Sequence, residues 1–218
     1  MEGFDAILDW HPWYSNRADY DSCLSYFNVK FHFKGKTSHG NSPWHGKSAL
    51  DAAMITGTSS EYLREHIYPG NPPEGANTFN YTFSDTGPEF ANVVPDRATI
   101  WYVGRFEKVA DARDGLRRIT NCAKGAALAT ETEVESELIT FTNHKLPNKT
   151  LAEVMHRNFE EIGPPAFTED EQRQAREIQK SFGVEESGLA SEILPFDGGY
   201  SIVCDTSEYS WNAPYTVA

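Results

Sequence analysis

The chain has 218 residues, 39% of them hydrophobic, with 13 Phe, 10 Tyr and 5 Trp, so it can bury a core and is too apolar to stay disordered. Its 19 Lys and Arg face 32 Asp and Glu, a net charge of −13 with no basic run, which argues against a phosphate backbone as partner. No apolar run approaches the roughly 20 residues of a spanning helix, and Met1 to Trp10 carries Glu2, Asp5 and Asp9 with no basic cluster; the expected compartment is the cytoplasm, with no membrane contact.

A short strand is expected over Phe4 to Trp10, then a polar aromatic loop. From Tyr26 to Gly35 the residues alternate, with Phe27, Val29, Phe31 and Phe33 on one face and Asn28, Lys30, His32 and Lys34 on the other: a half-buried strand. A loop with glycine and proline (Gly35 to Gly46) leads into a helix-like stretch from Lys47 to about Tyr68, ended by Pro69-Gly70. Two further strands are predicted, Thr78 to Ser84 and Arg97 to Arg105. A second helix from about Lys108 to Thr130 carries Val109, Ala112, Leu116, Ile119, Ala123 and Ala126 on one stripe, and a fourth strand covers Glu133 to Thr142.

The order β-α-β-β-α-β predicts an α+β, ferredoxin-like domain over residues 23–144, an antiparallel four-stranded sheet with both helices on one face. The flanks, 1–22 and 145–218, differ in character. Two helices after Leu146-Pro147 carry apparent capping boxes, Thr150-x-x-Glu153 and Thr168-x-x-Glu171, and a strand-and-loop region runs from Asp197 to Trp211. Cys23, Cys122 and Cys204 are odd in number and widely spaced, which fits reduced thiols.

No GxGxxG, GxxxxGK[ST], GxSxG or HExxH is present, so any chemistry rests on dispersed residues. His11, in Asp-Trp-His-Pro, can offer a ring nitrogen to a metal or be a plain hydrogen-bonded histidine. His39 lies in the loop after the first long strand, a place where function often resides. His32, His45, His66, His144 and His156 read as surface or capping residues. Asn92 precedes the third strand of the domain and Arg105 ends it. An Arg fork and an Asn donor suit a carboxylate, yet the two reach one ligand only if the loop folds back; otherwise they are a turn Asn and a surface Arg.

The run Phe33-Lys-Gly-Lys-Thr-Ser-His39-Gly, then His45-Gly-Lys-Ser-Ala-Leu-Asp-Ala52, and Asn92-Val-Val-Pro95 followed by Arg105, resemble the lid segment of the M20 metallopeptidases, in particular the branch that hydrolyses aminobenzoyl-glutamate. Asp9-Trp-His-Pro12, Gly125-Ala-Ala-Leu-Ala-Thr-Glu-Thr132 and Leu146-Pro-Asn-Lys-Thr-Leu151 extend the likeness over nearly the whole chain. The resemblance implies a lid and dimerisation domain at 23–144, a homodimer through that lid, and an incomplete catalytic domain at 1–22 and 145–218. It implies hydrolysis of the amide bond of a small N-acyl amino acid by an enzyme with two divalent ions, zinc or manganese. By the same likeness His11 is a metal ligand, His39 reaches the partner's site to steady the tetrahedral intermediate, and Asn92 and Arg105 hold the substrate's terminal carboxylate.

The chain also departs from the family pattern. The other metal ligands would lie before Met1 and after Ala218, and Ser207 and Glu208 replace a glycine and an acid in the segment ending at Trp211. The His39 loop is one residue shorter. A catalytic zinc takes about three protein ligands and a water, so the chain alone is expected to hold no stoichiometric metal and to be inactive. A noncatalytic dimerising or carboxylate-binding module is the alternative. An RNA-recognition fold of the same strand order is opposed by charge, although Phe27, Phe31 and Phe33 suit a stacking platform as well as a core.

Overall fold

A computed structural model describes residues 5–8, 10, 12–18, 20–70, 77–197, 211 and 215–217. The chain divides into two compact units, Leu24–His144 and a second made of Met1–Cys23 with Lys145–Ala218. No helix among the described residues is long and apolar enough to cross a membrane.

In the unit Leu24–His144 the elements are β2 (Ser25–Lys34), α1 (Ala49–Glu61), β3 (Thr78–Asp85), β4 (Arg97–Phe106), α2 (Val109–Thr130) and β5 (Glu133–Thr142); β1 (Ala6–Leu8) belongs to the other unit. The strands form one antiparallel sheet in the order β3-β4-β2-β5. The fold is α+β, as the alternation in β2 and the two helical stretches imply. Burial in β2 alternates strictly, and Phe27, Val29, Phe31 and Phe33 are all at most 2% exposed. These rings are core and cannot stack a base. With Ile100, Tyr102 and Phe106 of β4 they pack on Ile119 of α2 and on small residues of the helices: Ala49, Ala52 and Ala53 of α1, and Ala112 and Ala123 of α2. The small side chains let the helix backbones approach the aromatic face closely. Tyr102 is wholly buried, and its hydroxyl is satisfied by Ser60 Oγ at 2.9 Å, while burial pushes its ionisation far upward.

The pleat is not regular throughout. Asn28 pairs with Thr140 but Val29 pairs with Leu138, so Ile139 is an extra residue in β5.

The first helix is shorter than its composition predicts, ending at Glu61 rather than near Tyr68 and followed by a 3₁₀ turn over Arg64–His66. The stretch Thr56-Gly57-Thr58-Ser59-Ser60 explains this. It consists of weak helix formers, and its hydroxyls bond back to carbonyls within the helix (Thr56 to Ala52, Ser59 to Ile55, Ser60 to Gly57). Arg64 then donates to the Phe79 carbonyl at 2.8 Å and lies over the Phe79 ring, tying the chain to β3.

Helix α2 has no side-chain cap from Lys108; the Val109 N–H donates instead to His144 Nδ1 at 3.1 Å. Burial, and then the nearby Lys108 ammonium, push the His144 imidazole below its ordinary 6.5. The unfolded chain therefore takes up this proton first as the pH falls, so stability is fully present above about pH 6.5 and is lost as the pH drops through the lowered folded value. Urea titrations at several pH values should show a midpoint falling below pH 6.5, and the fall should be smaller in His144→Gln. Equal slopes would rule out this cap as the cause.

In the other unit, β1 pairs in parallel with β6 (Tyr215–Val217), and α3 (Lys149–Ile162) and α4 (Glu169–Ser181) are its helices. The expected capping box at Thr168 forms: Thr168 N–H donates to Glu171 Oε2 and Glu171 N–H to Thr168 Oγ1. The one expected at Thr150 does not. Asn148 is the cap, its Oδ1 accepting from Leu151 N–H at 3.0 Å, because the helix starts at Lys149 and leaves Thr150 inside its first turn. His156, expected at the surface, is 9% exposed on the inner face of α3, its ring 5.4 Å from that of Phe196. Of the expected strand over Phe4 to Trp10, Ala6–Leu8 is strand among the described residues, while Phe4 and Asp9, like nearly all of the region from Asp197 to Trp211, lie outside them.

Candidate functional site

The loop between β2 and α1 is held by backbone rather than by bulk. Lys36 and Lys47 exchange two backbone hydrogen bonds of 2.8 Å, closing residues 35–47 into a tongue. The segment before β4 clamps its tip. Gly40 N–H donates to the Asn92 carbonyl at 2.8 Å, Val94 N–H donates to the Ser38 carbonyl at 2.8 Å, and His39 and Val93 form an antiparallel bridge. Ser38 Oγ donates to the Ser42 carbonyl and folds the tip over. Lys47 also pairs with Glu131, which caps α2 in a left-handed conformation (φ 54°); the Lys47 ammonium holds that carboxyl below its usual range.

This clamp brings His39 and Asn92 together. The Asn92 carboxamide lies 3.1 Å from His39 Nε2, and the backbone N–H of Asn41 donates to His39 Nδ1 at 3.2 Å. Both side chains are exposed. Gly40 is what allows the approach, because a Cβ there would fall on Asn92 Oδ1. Sequence reasoning marks His39 and Asn92 separately, with no sign that they touch. It also passes over Gly40 and the Asn41 N–H; the glycine beside His39 is the one available hint.

Arg105 is placed elsewhere. It lies exposed on the sheet face away from the helices, between Tyr26 and Thr78 in register, with its guanidinium 5.1 Å from the Tyr26 ring centroid. Arg97 and Arg105 are eight residues apart along β4, about 27 Å at strand rise, and Asn92 lies beyond the Arg97 end. The loop before β4 does not fold back toward Arg105, so one domain does not bring Asn92 and Arg105 to one small ligand.

His11 lies outside the described residues, as do Asp205, Ser207 and Glu208. Among the described residues no group of three or more His, Cys, Asp or Glu side chains could hold a metal ion. The described residues therefore do not fit a metal centre; they offer donors for an oxygen-rich ligand at two separate places.

Residues 25–131 match the sequence model of the peptidase dimerisation domain, and this part of the chain is an M20 peptidase dimerisation domain. One of the subunits of the p-aminobenzoyl-glutamate hydrolase of Escherichia coli (strain K12) is 30% identical over 243 aligned residues, covering 98% of this chain and 49% of that protein. The Xaa-Arg dipeptidase of Mus musculus is 28% identical over 78% of this chain and 38% of its own length. In fold, the chain is similar to the aminobenzoyl-glutamate utilization protein from Klebsiella pneumoniae, with a TM-score of 0.58 and 19% identity, over 89% of this chain and 49% of that one. The chain spans about half the length, or less, of the relatives it matches. By their names these relatives are a hydrolase subunit and a dipeptidase.

Proposed function

We propose that residues 24–144 are the lid of a metal-dependent amidohydrolase that cleaves the amide bond of small N-acyl amino acids of the aminobenzoyl-glutamate type, acting as a homodimer in the cytoplasm. The observation that carries this reading is the placement of the donors at opposite ends of β4. His39 and Asn92 share one end and Arg105 occupies the other, too far apart for one N-acyl amino acid to touch both within one domain. In a dimer, His39 and Asn92 of one lid serve a ligand whose carboxylate is gripped by Arg105 of the second copy. Arg suits that task because its planar fork matches a carboxylate, and Tyr26 beneath it fixes the plane.

The dimer surface follows from α1. An amphipathic helix on a two-layer domain should be polar outside, and α2 obeys over most of its length, with Arg113, Asp114, Arg117 and Lys124 exposed and Leu128, near its end, the exception. In α1 the outer residues include Met54 and Ile55, 54% and 41% exposed, with Tyr62 following. Beside α1 lies β3, an edge strand with one side of its backbone unpaired within the sheet. An apolar helix face next to an open edge suits a second copy of the same surface.

Two divalent ions, when bound, would polarise the amide carbonyl and activate water. Of this chain's own residues, His11 is the one proposed to serve them as a ligand. The role of the lid is to present His39 as a donor to the developing oxyanion, where one donor contributes on the order of 10²–10³ in kcat.

The test is a graft. Residues 24–144 replace the lid of a complete M20 amidohydrolase, and hydrolysis of p-aminobenzoyl-glutamate is followed. The graft should be active; His39→Ala should lower kcat by on the order of 10²–10³, and Arg105→Ala should mainly raise KM. A folded, dimeric graft indifferent to both substitutions would reject this reading in favour of a noncatalytic dimerisation module.

A further inference from the structure

The hydrogen bonds around His39 determine which ring nitrogen carries the proton. A neutral imidazole has one N–H and one lone pair. The Asn41 backbone N–H donates to Nδ1, so Nδ1 is the lone-pair nitrogen and the proton sits on Nε2. That backbone donor cannot turn away, because its turn is closed by Ser42 N–H on the His39 carbonyl (2.9 Å) and by Gly40 N–H on the Asn92 carbonyl.

Nε2 in turn lies 3.1 Å from the Asn92 carboxamide, through Nδ2. A carboxamide offers an oxygen or an NH₂ at a given point, and the two differ by half a turn about its last bond. Facing Nε2–H, the NH₂ would set donor against donor, whereas the oxygen accepts. Of the two groups around the ring, only the carboxamide can make this adjustment.

We infer that Asn92 is a positioning residue for His39: its carboxamide oxygen accepts from Nε2–H and, with the Asn41 backbone N–H on Nδ1, holds the ring in the Nε2–H tautomer. The inference rests on the lid reading above and deepens it by naming the donor atom and the group that keeps it in place. A ring protonated at Nδ1 would confront the Asn41 N–H, so the clamp keeps Nδ1 as the acceptor and Nε2 as the donor. With its oxygen toward the ring, Asn92 leaves its NH₂ free to donate beside it. The two donors suit an oxygen-rich anion, a carboxylate or an oxyanion, which takes over Nε2–H from the Asn92 oxygen and accepts from Asn92 Nδ2 as well. A cationic or purely apolar ligand meets no complementary group there.

The test is a long-range ¹H–¹⁵N correlation spectrum of the histidine rings in the ¹⁵N-labelled full chain, near pH 8.5, about two units above the ordinary imidazole value. His39 is assigned by its loss in His39→Gln. The expected spectrum has a lone-pair-type Nδ1 and a protonated-type Nε2. Asn92→Asp should keep this pattern, because a carboxylate oxygen still accepts. Asn92→Leu, similar in size and without an acceptor, should move the ring to an average of two tautomers, with backbone amide signals of β2 and β4 showing that the sheet is intact. A proton on Nδ1 in the unsubstituted chain, or an unchanged ring signature in Asn92→Leu, overturns the inference. The spectrum does not depend on catalysis. If the tautomer is as stated while the graft ignores His39, the functional reading fails and the positioning stands; the reverse outcome sinks only the positioning.

Discussion

Gly35→Ala should destabilise the unit Leu24–His144 by about 3 kcal/mol, combining strain with lost backbone hydrogen bonds. A Cβ at position 35 would fall on the Lys47 carbonyl oxygen, with the Lys47 carbonyl carbon at 3.0 Å and Ala49 N at 3.1 Å. All three are backbone atoms, so no flexible side chain can move aside. Relief requires opening the paired bonds between Lys36 and Lys47, each worth about 1 kcal/mol net. The first turn of α1 is fixed nearby, since Ala49 N–H donates to the Pro95 carbonyl, and it resists following. Urea unfolding should show a lower midpoint with an unchanged slope. Gly125→Ala is the matched control with the opposite sign. Gly125 lies in α2 with nothing within 4 Å of a Cβ, so alanine there should stabilise by roughly 0.5–1 kcal/mol. If both substitutions move stability the same way, the tongue is not packed as described.

Ile55→Asp should convert a dimer of twice 24.5 kDa into a monomer of 24.5 kDa, read by light scattering across a dilution series. Ile55 is 41% exposed, so the substitution spares the core, whose α1 side is made by Ala49, Ala52 and Ala53. In the proposed dimer the aspartate would be buried against the apolar face of a second copy. An uncompensated charge of that kind costs about 3–5 kcal/mol, which raises Kd by on the order of 10²–10³ or more. Asn121→Asp, on the polar outer face of α2, adds the same charge and should leave the mass unchanged. A dimer that survives Ile55→Asp would move the interface away from α1.

Much of the domain is legible in the sequence because its determinants are local. The strict alternation from Tyr26 to Lys34 leaves β2 only one way to face, and the stripe in α2 is wide enough to define its buried side. The end of α1 is hidden because Leu63 and Ile67 continue the helical spacing past a run of hydroxyl residues that turn back on their own carbonyls. The site is half legible. His39, Asn92 and Arg105 can each be marked as donors for an anion, but their grouping depends on strand direction. His39 and Asn92 are 53 residues apart and meet because the β2–α1 tongue leaves the sheet at the same end where the chain enters β4. Arg105 has its place because β4 then runs ten residues the other way. A set of candidate residues cannot convey that polarity, which only the register of β2 with β4 supplies.

The extra residue at Ile139 has an implication for how this sheet can change over evolution. Inside a regular strand, inserting or deleting one residue turns every following side chain to the wrong face, so strand length is normally frozen. Here the bulge has already absorbed one such step. Glu133, Glu135 and Glu137 stand opposite Lys34, His32 and Lys30 on the outer face, and beyond Ile139 the alternation restarts in phase, so that Phe141 sits opposite the buried Phe27. Removing Ile139 would leave a regular ladder with Phe141 still inward. The edge strand β5 therefore contains a position where chain length is negotiable within a β-sheet, and a one-residue gap at this point in an alignment of relatives would be structurally silent.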